Sequence, residues 1–245
     1  MTLPRRLYAG YQRVRRMLER VSVLRQAILY TVEIKNSLLD SAQRERVAVD
    51  RLYRASDDPY GFNRDLEQFR FQRAMQILSA VGKGHRFGRT LEVGCAEGMF
   101  TERLAACCES VLAVDLSNIA LERAKRRCHN RFNITFAQWD VRKDVVDGRF
   151  DLIVATGVLE YIMRPRTLRD ACDRLVRALR PGGYLLLGNT VTQNEVEHTW
   201  IGKRLIRGTL INDYMGSDPR LETVSASLDQ CVCPFAHLLL RRRPD

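Results

Sequence analysis

The stretch Thr90-Leu-Glu-Val-Gly-Cys-Ala-Glu-Gly-Met-Phe100 decides how the rest of the chain is read. A short apolar run ends in Glu92, turns through Gly94 and Gly98, and opens into a helix-like stretch from Met99 to Cys108. A strand-to-helix turn of this kind brings bare backbone close to a ligand. Further on, a second strand-like run, Val111-Leu-Ala-Val, ends in Asp115, a carboxylate placed to accept bonds from both hydroxyls of a ribose. Turn and carboxylate together read as a nucleoside site. The dinucleotide fingerprint G-x-G-x-x-G fails: counted from Gly94, its second position is Ala96 and its third is Met99. Glu92 and Glu97 also put negative charge beside the helix N-terminus, where a pyrophosphate would sit. Acidic surroundings suit a cationic ligand.

S-adenosylmethionine carries a sulfonium and an ammonium and no phosphate. Glu92-Val-Gly94-Cys95-Ala96-Glu-Gly98 resembles the first motif of the class I methyltransferase superfamily, E/D-x-G-x-G-x-G, with Ala96 in place of the central glycine. Phe136-Ala-Gln-Trp139-Asp140-Val141 resembles the superfamily's third motif. There an acid at a strand end accepts from the adenine amino group and its neighbours sandwich the ring. Phe150-Asp-Leu-Ile-Val-Ala-Thr156 reads as a fully buried parallel strand and resembles the fourth, from whose end the acceptor is reached. Leu179-Arg-Pro-Gly-Gly-Tyr-Leu-Leu-Leu187 resembles the turn into strand five, a helix stopped by Pro and Gly before an apolar run. The resemblance implies S-adenosyl-L-methionine as cofactor. It is expected to be held by the turn Glu92–Gly98 with Cys95 and Ala96, by Asp115 and Leu116, by Asp140 and Val141, and by Thr156.

Strand-like and helix-like runs alternate: strand 90–93, helix 99–108, strand 111–115, helix 117–128, strands 133–138 and 150–155, helix 166–179, strand 184–189. A helix over 201–211 and two strands, 221–227 and 231–240, complete the chain around the connection 228–230. The expected fold is α/β: a Rossmann-like, seven-stranded, mostly parallel sheet with an antiparallel last strand, preceded by a helical extension. Residues 1–55 form that extension, residues 56–245 the methyltransferase domain, and Ala55–Gly61 the turn-rich linker.

Composition agrees. The chain has 245 residues, 45% of them hydrophobic, enough for one ordinary α/β domain and an extension. Seven cysteines at no zinc-finger spacing and four scattered histidines predict no metal site, and reduced thiols in a cytoplasmic protein. No apolar run reaches the length of a membrane span. Residues 1–56 carry twelve Lys/Arg against five Asp/Glu, a net +7 out of +11, so the body reads as close to balanced and without a basic face. Within the extension Leu7, Tyr11, Val14, Leu18, Val21, Ile28 and Val32 recur at helical spacing while Arg5, Arg13, Arg16 and Arg20 fall elsewhere on the wheel. That pattern suits dimerisation or a peripheral membrane contact. Nucleic acid is disfavoured because the arginines lack interleaved aromatics.

Ahead of the first motif, Asp58-Pro59-Tyr60-Gly61 and Leu66-Glu-Gln-Phe-Arg70-Phe71 resemble the nodulation methyltransferase S family, N-methyltransferases acting on the amino sugar of a chitooligosaccharide. That family shows roughly D-P-W-G and then Y-E-x-x-K-Y, with Tyr60, Arg70 and Phe71 here at the Trp, Lys and second Tyr. After the fourth strand it shows E-V-L-Y-Y-L, against Gly157-Val-Leu-Glu160-Tyr161-Ile162 in this chain. The resemblance implies methyl transfer to an amino group of a small-molecule or oligosaccharide acceptor. An O-methyltransferase of a phenolic or lipid-like acceptor at a membrane, and a non-catalytic cofactor-binding subunit, stay open. Glu160, then Tyr161, are the expected catalytic groups at the acceptor, with helix capping and sheet packing as their alternatives. His198, in the loop after strand five, is a third candidate. Trp200 or Tyr60 is expected over the sulfonium, and Arg70 on the cofactor carboxylate, its alternative being a solvated helix face.

Overall fold

The computed structural model describes residues 42–144, 148–162, 164–191, 208–229 and 234–244. From Val49 onward the described residues form one compact unit. Its elements in chain order are α1 (Ala42–Ala55, which begins ahead of the unit), α2 (Asp65–Gly82), β1 (Phe87–Val93), α3 (Met99–Cys107), β2 (Cys108–Asp115), α4 (Asn118–Arg127) and β3 (Ile134–Gln138). There follow β4 (Phe150–Thr156), α5 (Pro165–Ala178), β5 (Leu179–Thr190), α6 (Gly208–Gly216), β6 (Leu221–Asp229) and β7 (Phe235–Arg242). The sheet order is β3-β2-β1-β4-β5-β7-β6, with β7 inserted antiparallel between β5 and β6. This is the expected fold.

The central strands are apolar on both faces because both faces are covered. Leu91, Ile153, Leu185, Leu187, Leu238 and Leu240 pack under α5 and α6; Leu152, Val154, Leu186 and Leu239, alternating with them, pack under α2, α3 and α4. Helix α5 presents Leu168, Ala171, Cys172, Leu175 and Val176 to the core, a stripe at helical period, and opens with Pro165, whose missing N–H costs nothing in the first turn. Helix α4 starts at Ser117, whose hydroxyl accepts the Ala120 N–H at 3.2 Å.

Several boundaries depart from expectation. β5 begins at Leu179: the Pro181-Gly182-Gly183 segment, expected as a turn, stays in the strand, with a register shift opposite Phe150–Leu152 that absorbs the residues proline cannot pair. β1 and β2 start at Phe87 and Cys108, earlier than their apolar runs. The helix expected over 201–211 is described from Gly208 and runs to Gly216. β6 continues through Leu228, expected as connection, to Asp229, and β7 starts at Phe235. Residues 1–41 of the basic extension, 201–207 and 230–233 lie outside the described residues.

Candidate functional site

The C-terminal ends of β1, β2 and β4 meet where the strand order reverses, the place where open α/β sheets leave a crevice for a ligand. The first wall is the turn after β1. Gly94, Ala96 and Gly98 all have positive φ (76°, 48° and 79°). The N–H groups of Gly94 and Cys95 both bond Val114 O, at 2.8 and 3.0 Å, and pin the turn to β2. A Cβ on Gly94 would stand 2.9 Å from Val158 Cγ2; one on Gly98 would stand 3.0 Å from Ala124 Cβ and 3.1 Å from its Cα. Ala96 adopts the left-handed conformation without glycine's freedom, at a cost of about 1–2 kcal/mol. Its buried methyl packs with Tyr53 and Ala120, contacts that glycine could not make.

Glu92 and Asp115 lie at the C-terminal ends of β1 and β2, and Asp140 lies two residues beyond β3. Asp115 accepts Ala96 N–H at Oδ2 (2.9 Å) and Ser117 N–H at Oδ1 (2.8 Å), which leaves each oxygen a further lone pair for a hydroxyl. Burial pushes its carboxyl above the usual carboxylate range, against the backbone N–H groups of Ser117, Ala96 and Leu116. Glu92 is almost completely buried beside the Thr101 hydroxyl, and burial pushes it up to about 8. Its Oε2 has no hydrogen-bond partner among the described residues. Leu116 O takes the Gln138 side-chain amide at 2.9 Å, closing the gap between β2 and β3. Asp140, buried next to Val141, is held by Arg142: Oδ1 accepts Nε and Oδ2 accepts Nη2, both at 2.7 Å. An adenine amino group would therefore share that carboxylate with a guanidinium.

The N-terminal side of the crevice depends on residues that the sequence did not single out. Asp50 bonds Ser117 Oγ, and Tyr53 is buried against Ala96. Arg123 of α4 donates to Tyr53 O (2.5 Å), Ser56 O (3.1 Å), Asp57 O (3.0 Å) and Glu97 Oε1 (2.5 Å). One guanidinium thus ties residues 53–57 to the glycine turn. In sequence Arg123 is one cation on a basic helix face, and nothing local marks it.

The end expected to meet the acceptor lies at β4 and β5. Past Thr156 the chain makes a short 3-10 turn, Leu159–Tyr161. Glu160 does not cap the next helix; it points inward and accepts Thr190 N–H at 2.8 Å and Thr190 Oγ1 at 3.4 Å. Burial pushes it up to about 7, with Arg70 pulling the other way. Tyr161 points outward and meets Tyr60 edge-on, ring centres 6.4 Å apart, while Tyr60 also touches Tyr53 and Phe62. Arg70 is no solvated helix residue: it is buried, stacks 4.3 Å above the Phe235 ring, and pairs with Glu67. His198 and Trp200 lie outside the described residues.

The family model of nodulation protein S (NodS) matches residues 42–213. Nodulation protein S of Rhizobium tropici is 34% identical over 140 residues, 57% of this chain and 58% of that protein. The ubiquinone biosynthesis O-methyltransferase of Dechloromonas aromatica is 31% identical over 137 residues, 53% of each. The chain thus spans less than two thirds of these relatives' own length. Among solved structures, the N-methyltransferase NodS of Bradyrhizobium japonicum WM9, in complex with S-adenosyl-L-homocysteine, superposes with a TM-score of 0.68 at 26% identity, covering 79% of this chain and 97% of that one.

Proposed function

We propose, from the premise that the chain belongs to the nodulation protein S family, that it is an S-adenosylmethionine-dependent methyltransferase acting on an amino group of an oligosaccharide acceptor. The cofactor suits the residues present. Glu92 offers a buried carboxyl with one oxygen unbonded among the described residues, as a cationic amino-acid moiety needs. Asp115 keeps a lone pair on each oxygen for the two ribose hydroxyls. The glycine turn exposes backbone rather than side chains to the ligand. Arg70, buried near Glu160 and paired with Glu67, is assigned to the carboxylate of the amino-acid moiety.

Bound S-adenosylmethionine supplies an electrophilic methyl that a nucleophile displaces in line. The protein must then align the acceptor, worth roughly 7–11 kcal/mol when done well, and manage its proton. The observation that carries the reading is Glu160, a buried carboxyl in the turn after β4 that accepts Thr190 N–H at 2.8 Å and that burial pushes up to about 7. A group so poised accepts a proton from an ammonium near neutral pH and releases it again afterwards. Exposed Tyr161 and half-buried Tyr60 form the aromatic side of the same region, suited to a sugar face.

The second reading, methylation of a phenolic oxygen, draws on the match to the ubiquinone biosynthesis enzyme; Glu160 would serve a phenol proton equally well. Incubation with S-adenosylmethionine and separate pools of chitooligosaccharides, amino sugars, quinols and phenols, read by mass spectrometry for one added methyl, tests both. A new methyl on oxygen overturns the amine assignment. No methylation in any pool, with no binding of S-adenosylhomocysteine, overturns the enzyme.

A further inference from the structure

The body was expected to lack a basic face, and the structure corrects this. In a mostly parallel sheet the strand starts collect at the pole opposite the nucleoside crevice, and antiparallel β7 delivers its end there too. Arg86 precedes β1 and bonds Ala105 O and Cys108 O, at the end of α3. Arg89 follows inside β1, its guanidinium against Gly148, and Arg149 precedes β4 and bonds Arg177 O at the end of α5. Arg180 opens β5, where Arg242 bonds Leu179 O. Arg241 pairs in register with Tyr184, and Arg243 bonds Leu221 O, beside Arg220 at the start of β6.

Among the described residues these nine arginines share the pole with five carboxylates, Glu109, Asp151, Asp173, Asp218 and Glu222. Most of the carboxylates sit deeper than the arginines they pair with. Side-chain exposure is 59% for Arg180 against 11% for Asp151, and 74% for Arg177 against 31% for Asp173. The pairs therefore hold guanidinium groups outward rather than cancelling them at the surface. From β1 to β6 the band crosses five strands, about 20 Å at the usual strand spacing. At the β3 end of the same edge Phe132, beside Arg131, is 98% exposed.

We propose that this edge is a docking surface for an anionic lipid bilayer, the arginines meeting headgroup phosphates and Phe132 entering the interface. Arginine forks suit phosphate oxygens, and each basic group near an anionic leaflet adds roughly fivefold to partitioning. A single-stranded nucleic acid would call for aromatics interleaved among the cations; Phe132 is the one large exposed aromatic along this edge among the described residues. All of these residues belong to the compact unit from Val49 onward, and a chain docked this way keeps its nucleoside crevice facing away from the lipid.

The test is co-sedimentation of the full chain with vesicles of phosphatidylglycerol and phosphatidylcholine in equal parts, against phosphatidylcholine alone. The triple variant Arg149→Gln/Arg177→Gln/Arg241→Gln should partition roughly a hundredfold more weakly while binding S-adenosylhomocysteine as before. Phe132→Ser, at a site too exposed to affect folding, should also weaken partitioning and serves if the triple variant fails to fold. Wild-type partitioning in the triple variant, or in Phe132→Ser where only that variant folds, overturns the proposal. So does binding to duplex DNA with no preference for anionic over neutral vesicles.

Discussion

Replacing Glu160 by Gln should make the protein more stable and less active, and the two effects should part with pH. The ordinary value for this carboxyl is 4.5, and burial lifts it to about 7 in the folded chain. Below pH 4.5 folded and unfolded chains both hold the proton, so the group is neutral to stability. Between 4.5 and about 7 the unfolded chain has lost the proton and the folded chain keeps it, so stability falls as pH rises; above 7 the loss is complete. The total is on the order of 3 kcal/mol. Glutamine has no proton to lose, and its carbonyl can still accept the Thr190 N–H that Glu160 accepts at 2.8 Å. Urea unfolding of the cofactor-free protein should therefore give similar midpoints for wild type and variant at pH 4.5. At pH 8 the variant should be the more stable by a few kcal/mol, roughly 6–12 °C in Tm. Turnover near neutral pH should drop strongly, and the deficit should narrow at alkaline pH where a free amine already dominates. Equal decline of both proteins between pH 4.5 and 8 would refute the buried-carboxyl argument. Full activity of the variant would leave catalysis to positioning.

Asp115→Ala should weaken S-adenosylhomocysteine by tenfold or more in isothermal titration, because two hydroxyls lose a charged acceptor; unchanged affinity would remove Asp115 from the nucleoside site. Gly98→Ala should cost roughly 2–3 kcal/mol in urea unfolding, since its Cβ would press on the Ala124 backbone at a φ of 79°; a neutral result would mean that the turn and α4 can part. Arg123→Ala strands four oxygen acceptors, so amide exchange across 53–57 should quicken and cofactor affinity fall, although Arg123 itself stands behind the turn. Unaltered exchange there would show that Tyr53 alone holds the segment.

What the sequence made legible was whatever depends on neighbours in the chain. The turn Gly94–Gly98 and Asp115 are marked by residue type at strand ends, and both stand where the reading put them. The alternation of apolar runs gave the strand order its elements, because buried parallel strands and amphipathic helices differ in period. Boundaries failed where tertiary pairing overrode local chemistry: Pro181-Gly182 looks like a stop, yet pairing with β4 at Leu179 and again at Tyr184 keeps β5 continuous across it. Ala96 was readable as a departure but not as a compromise, because the Tyr53 ring that receives its methyl comes from α1. Glu160 was chosen for its position after β4; that its carboxyl would be sunk against Thr190, thirty residues on, has no local signature.

The basic edge was the largest miss, and its physics is the converse of the crevice. Every parallel β-to-α unit sends its helix N-terminus toward the strand ends and its helix C-terminus toward the strand starts. The positive ends of the α3 and α4 dipoles therefore face the crevice, where Glu92 and Asp115 lie, and the negative end of α5 faces away, where Arg177 occupies the last turn. One or two arginines per element look unremarkable along the chain, and only the topology gathers them. The same polarity leaves buried carboxyls around a cationic cofactor at one pole and exposed guanidiniums at the other. A charge total read along the sequence averages the two poles to near balance, which is why the body looked neutral.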